Sequence, residues 1–191
     1  MSVEHSDVTL DVTPDEAMSL ALSEARAALD HDDVPVGAVI VHDGRVIAAR
    51  HNERELHKDP VAHAEILALR DAARVLGQWR LDDCTMYVTL EPCAMCAGAS
   101  VNARLGHLVY GAHDPKAGAV TSHFGLLTGD LLNHRVSVNG GVRAPESADL
   151  LRAFFRDRRW TFGDLTESVD DRAVLAAQAA DEAAQRRAAV A

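Results

Sequence analysis

The chain has 191 residues, 48% of them apolar and 25% charged, an ordinary balance for one globular domain with a substantial core. No apolar run reaches the roughly 20 residues that span a bilayer, and the acidic start lacks the basic and apolar parts of a signal peptide, so a cytoplasmic protein with no membrane partner is expected. The net charge of −10 argues against a uniformly polyanion-binding surface, but residues 1–16 and 163–191 together hold −8 of it and leave a nearly neutral body.

Thr13 followed by Pro14, Asp15 and Glu16 predicts a helix start, and Met18, Ala21, Leu22, Ala25 and Leu29 continue at helical spacing. Residues 36–41 and 45–49 read as strands joined at Asp43-Gly44, a pair that supplies the positive φ values of a tight hairpin. Pro60 opens a second predicted helix that ends near Gly77. Residues 85–90 form an apolar, β-branched run suited to a buried strand, and Pro92 opens a third helix to about Ala103. A short strand over 107–110, a glycine-punctuated loop over 111–129, a strand over 135–138 and a helix from Pro145 through Phe155 complete the body. Strands alternating with helices give an α/β layered fold around a mixed sheet.

Three segments are expected: an acidic leader (1–13), a domain (14–160) and an Ala-rich charged tail (161–191), read as a frayed helix or disorder. Near the end of the domain, Arg152, Arg156, Arg158 and Arg159 form a local basic cluster beside Phe154, Phe155 and Trp160. Such a cluster attracts phosphate, or it is simply the solvated face of a helix; the sequence leaves both open.

The chemistry is concentrated in two places: His63-Ala64-Glu65 at one helix start and Pro92-Cys93-Ala94-Met95-Cys96 at another. Two thiolates and an imidazole make three of zinc's four tetrahedral ligands, which leaves one position for water. Cys93 and Cys96 fall on one face of a first helical turn, where the helix N-terminus favours thiolate. A lone Cys-x-x-Cys also suits a redox pair or half of a structural zinc site, and His-x-Glu alone means little. Together, H-x-E followed by P-C-x-x-C is the spacing of zinc deaminases, with the Glu as proton carrier rather than ligand. A purely structural zinc would need a fourth ligand, and Cys84, at the start of a buried strand, reads as core. Hydrolytic loss of an exocyclic amine needs hydroxide at a ring carbon, which zinc supplies, and a carboxylate to shuttle protons, which Glu65 fits.

These residues, with Val34-Pro35-Val36-Gly37-Ala38-Val39, Asp59-Pro60-Val61-Ala62-His63, Tyr87-Val88-Thr89-Leu90-Glu91-Pro92, Asn133-His134-Arg135-Val136 and Phe154-Phe155-Arg156, make the chain resemble the bacterial tRNA adenosine deaminases from about residue 15 to 160. The resemblance implies a cytidine-deaminase-like, three-layer α/β/α fold with about five strands. It implies a homodimer with one Zn2+ per subunit on His63, Cys93 and Cys96, and Glu65 as proton shuttle. The implied reaction is deamination of the wobble adenosine of a tRNA anticodon stem-loop to inosine, the base being splayed from a single-stranded loop at low cost. Asn52 matches a position that contacts the target base, and Asp114, in the loop with Lys116, one that contacts the anticodon-loop backbone; by themselves Asn and Asp there are ordinary turn residues. Arg156, Arg158 and Arg159 complete the expected RNA contacts. The same fold also hosts deaminases of free bases and nucleosides, and a non-catalytic, zinc-stabilised RNA-binding module is a third reading.

Overall fold

The structure is a computed structural model that describes residues 11–130 and 132–163, with backbone alone at 157 and 159–163. The leader up to residue 10 and the tail beyond 163 lie outside the described residues. Helix α1, Pro14–Ala27, begins as expected: the Thr13 hydroxyl accepts the Glu16 N–H and the Glu16 carboxylate accepts the Thr13 N–H, a reciprocal cap. A 3-10 turn, Ala28–His31, follows. Strands β1, Gly37–His42, and β2, Arg45–His51, turn at Asp43 and Gly44, both at positive φ (48° and 71°). After the short helix α2, Arg54–His57, come α3, Ala64–Leu76, β3, Cys84–Leu90, α4, Ala94–Asn102, β4, His107–Ala112, β5, Ser137–Gly140, and α5, Ala144–Gly163.

The five strands form one mixed sheet in the order β2-β1-β3-β4-β5, with β1 antiparallel to β2 and β3, and β3, β4 and β5 parallel. Both faces are covered, so the central strands are almost continuously apolar rather than alternating. On one face Val39, Val41, Tyr87 and Val109 meet Ala17, Met18 and Ala21 of α1. On the other, Ala38, Ile40, Met86, Val88 and Leu108 meet Ala64, Ala68 and Ala72 of α3 and Ala97 and Val101 of α4. Gly37 allows the close approach of α1, because a Cβ there would lie 2.0 Å from the Ala21 carbonyl oxygen.

The register gathers several chain segments at one end of the sheet. Gly37 pairs with His51, Ala38 with Val88 and Leu90 with Ala112. The entry to β1 and the exits of β2, β3 and β4 therefore lie together, which brings residues 34–36, 52, 91–93 and 113–114 to a single edge. Crevices at the carboxyl ends of parallel strands are where α/β sheets place ligands.

The chain divides into two compact units, residues 1–151 and 152–191, with the boundary inside α5. Two sequence expectations need correction, and one element was not anticipated. The helix expected from Pro60 starts at Ala64: the Asp59 side chain accepts the Val61 N–H at 2.9 Å and makes a turn of residues 59–62, which leaves His63 extended. Helix α2 was not anticipated, since it spans four residues without apolar periodicity and its free N–H groups, on Glu55 and Leu56, bond to the distant Asp33 carboxylate. Strand β5 lies two residues further on than the expected 135–138.

Candidate functional site

His63 and Cys93 are the cap residues of α3 and α4, both with extended backbone, and Cys96 lies in the first turn of α4. The two helix starts face each other. His63 Nδ1 is 3.5 Å from Cys96 Sγ and 3.8 Å from Cys93 Sγ, and the two sulfurs are 3.7 Å apart. Among the described residues this is the one group of three His, Cys or acidic side chains whose ligand atoms converge closely enough to hold a metal ion. Cys84 stands apart, buried in β3 with its thiol pushed up to about 11 by burial, as a core cysteine should be.

The two thiols are pushed in opposite directions: the contacts with Cys96 and His63 favour the Cys93 thiolate, down to about 3, whereas the Cys93 contact and burial favour the protonated form of Cys96. The Cys93 contact raises the His63 ring towards its charged form. Such a site trades protons for a cation readily. Glu65, in the first turn of α3, is 4% exposed, and burial raises its carboxyl; its Oε2 has no hydrogen-bond partner among the described residues. A buried carboxyl oxygen left open beside a ligand cluster is costly unless something else occupies its reach.

Asn52, 5% exposed, joins two segments: Oδ1 accepts the Ala64 N–H at 2.9 Å and Nδ2 donates to the Val34 carbonyl at 3.1 Å. It thereby satisfies the first N–H of α3 and fixes the backbone next to His63. Asp114 makes the turn that its residue type suggests, since Oδ1 accepts from Lys116 N–H at 2.9 Å and Ala117 N–H at 3.2 Å; the Lys116 side chain is exposed. Arg156 and Arg158 belong to the second unit, where the Arg158 guanidinium covers the Phe154 ring at 3.7 Å. Phe154 is buried and Phe155 is exposed. The Arg159 side chain lies outside the described residues.

Sequence reasoning gave Glu91 no role, yet it is 1% exposed and held as carboxylate at about 2: burial opposes this, and bonds from Ser122, Thr121 and Asp114 overcome it. The available signal was a charge between a buried strand and the Pro92-Cys93 helix start.

The MafB19-like deaminase family model matches residues 12–159. The chain belongs to this deaminase family. It is 46% identical over 149 residues to a tRNA-specific adenosine deaminase of Bacillus subtilis (strain 168), covering 78% of this chain and 92% of that protein. A solved structure from studies of A-to-I editing by tRNA:A34 deaminases at the wobble position is 49% identical, with a TM-score of 0.69, over 71% of this chain and 98% of that one. A guanine deaminase from Nitrosomonas europaea is 26% identical, with a TM-score of 0.65, over 75% of this chain and 85% of that one. The five-stranded mixed sheet with its flanking helices is thus the cytidine-deaminase-like fold. No helix among the described residues of this deaminase is long and apolar enough to cross a membrane.

Proposed function

We propose that this chain is a zinc-dependent deaminase that converts adenosine to inosine at the wobble position of a tRNA anticodon. The observation that carries it is the triangle of His63, Cys93 and Cys96 with the unpartnered Glu65 Oε2 beside it. Tetrahedral zinc, with sulfur at about 2.3 Å and nitrogen at about 2.0–2.1 Å, separates its ligands by about 3.8 Å (S to S) and about 3.6 Å (S to N). The observed separations of 3.7, 3.8 and 3.5 Å suit that ion without rearrangement. His63, Cys93 and Cys96 would hold it, and bound zinc supplies a nucleophile at neutral pH by lowering the pKa of water.

Glu65 does the proton work. Its raised carboxyl is able to take a proton from the attacking water and pass it to the purine ring nitrogen, then to take a second proton from the hydroxyl newly formed at the ring carbon and pass it to the amine, which departs as ammonia. Burial keeps bulk water from competing for that proton. Asn52 retains a second amide N–H and a second lone pair beyond the two bonds it makes, and these suit the edge of a flipped base. Asp114 and Lys116 on the neighbouring loop, with Arg156, Arg158 and Arg159, are the proposed RNA contacts. The functional unit is a homodimer, to be checked by light scattering.

The tRNA substrate is supported by the much higher identity to the tRNA deaminases than to the guanine deaminase on the same fold. The test is turnover of an anticodon stem-loop with adenosine at the wobble position, side by side with free adenine, guanine, cytosine and their nucleosides. Inosine in the stem-loop with little turnover of the small molecules is expected; the reverse pattern makes the protein a free-base or nucleoside deaminase.

A further inference from the structure

Glu91 sits between β3 and α4, two residues before Cys93, and a buried carboxylate is costly unless donors fill its oxygens. Six do. They are the backbone N–H groups of Asp114 (3.1 Å), Val120 (3.2 Å), Thr121 (2.7 Å) and Ser122 (2.8 Å), and the hydroxyls of Thr121 (3.3 Å) and Ser122 (2.5 Å). All come from residues 114–122, so the carboxylate fills a ring of donors as a bound anion fills a nest. The backbone adds a second tie, because Ala119 N–H donates to the Pro92 carbonyl at 2.9 Å and Cys93 bridges to Gly118. At Gly118 a Cβ would lie 2.5 Å from Glu91 Cδ and 2.6 Å from the Asp114 carbonyl oxygen, so the loop closes on Glu91 only with glycine there.

We propose that Glu91 is a positioning residue that fixes the loop bearing Asp114 and Lys116 against the Pro92-Cys93 helix start, so that one buried joint sets the substrate-facing loop. It touches neither substrate nor metal. Its effect on substrate rests on the tRNA reading above; the joint itself does not.

Glu91→Gln keeps the shape but turns an amide N–H group towards donors that need an acceptor. Amide exchange at Asp114 and at Val120, Thr121 and Ser122 should then accelerate by about tenfold or more, since bonds to a charged acceptor are lost. Unchanged exchange overturns the proposal whatever the substrate. With the stem-loop, KM should rise by about tenfold while kcat falls by less and zinc content holds. Faster exchange with unchanged KM overturns the positioning role. Ser122→Ala removes one donor and leaves the carboxylate, so a smaller change of the same sign is expected there, and it decides the matter if Glu91→Gln does not fold. If the unmodified protein leaves the stem-loop untouched, the tRNA reading falls, while the exchange experiment still judges the joint.

Discussion

Asn52 binds the first turn of α3 to the entry of β1: its Oδ1 takes the Ala64 N–H at 2.9 Å while its Nδ2 reaches the Val34 carbonyl at 3.1 Å. His63 is the residue immediately before that N–H. Asn52→Ala should therefore destabilise the fold by about 1–2 kcal/mol, the usual cost of a lost cap and an unsatisfied carbonyl. It should also speed metal loss to a chelator. Urea unfolding and a chelator-release assay check both; a variant as stable and as retentive as the parent would leave Asn52 a substrate contact only.

Cys93 and Cys96 should fail together when altered. Serine is a poorer ligand, so Cys93→Ser and Cys96→Ser should each lose zinc and activity in parallel. Uptake of zinc by the metal-free protein should weaken as pH falls, because Cys96, held protonated by its bond to Cys93 and by burial, must release its proton to bind. Elemental analysis of the purified variants and zinc titration across pH provide the readout. Full zinc content in either serine variant contradicts the ligand set.

The cluster of His63, Cys93 and Cys96 with Glu65 beside it was legible because its parts are local: each half occupies a few consecutive residues at a helix start, where spacing alone fixes which side chains share a face. The sheet was legible for a similar reason, since residues 36–41 and 85–90 carry the apolar runs of strands covered on both sides. What escaped depends on partners distant in the chain. Glu91 was given no role because its donors, on residues 114–122, lie more than twenty residues along the chain. Helix α2 lacks a local signal because the carboxylate that accepts its first-turn N–H groups is that of Asp33, more than twenty residues upstream. Pro60 misled, because Asp59 uses it for a turn rather than a helix start.

Asp33 offers a pH test remote from the metal. Burial pushes its carboxyl up, but the N–H groups of Glu55 and Leu56 and the His31 ring outweigh this and leave it below the ordinary Asp value of 3.8. A folded pKa below the unfolded one means that its contribution is complete above the unfolded value and fades as pH falls through the folded one. The stability difference between the parent and Asp33→Asn should be steady near neutrality and shrink below about pH 4. Chemical unfolding at several pH values measures it; a difference that grows on acidification contradicts the assignment.

Arg156, Arg158 and Arg159 separate RNA recognition from metal chemistry. If they neutralise phosphates, stem-loop affinity should fall steeply with salt, with a slope near about −0.7 per phosphate on single strands. Replacing all three by Gln should flatten that slope and weaken binding, with zinc content unchanged. An unaltered slope would make the cluster a solvated helix face and move recognition to the loop of residues 111–129.

Glu65 is the residue on which the deaminase reading depends most directly, since a zinc-stabilised binding module has no use for a carboxyl beside its metal. The deciding measurement is inosine formation in the anticodon stem-loop by Glu65→Gln and the parent at matched zinc content and matched stem-loop binding. Loss of a positioned general acid/base should cut turnover by about 10²–10⁴-fold, with fold, zinc and RNA affinity preserved. Turnover equal to that of the parent would contradict the account.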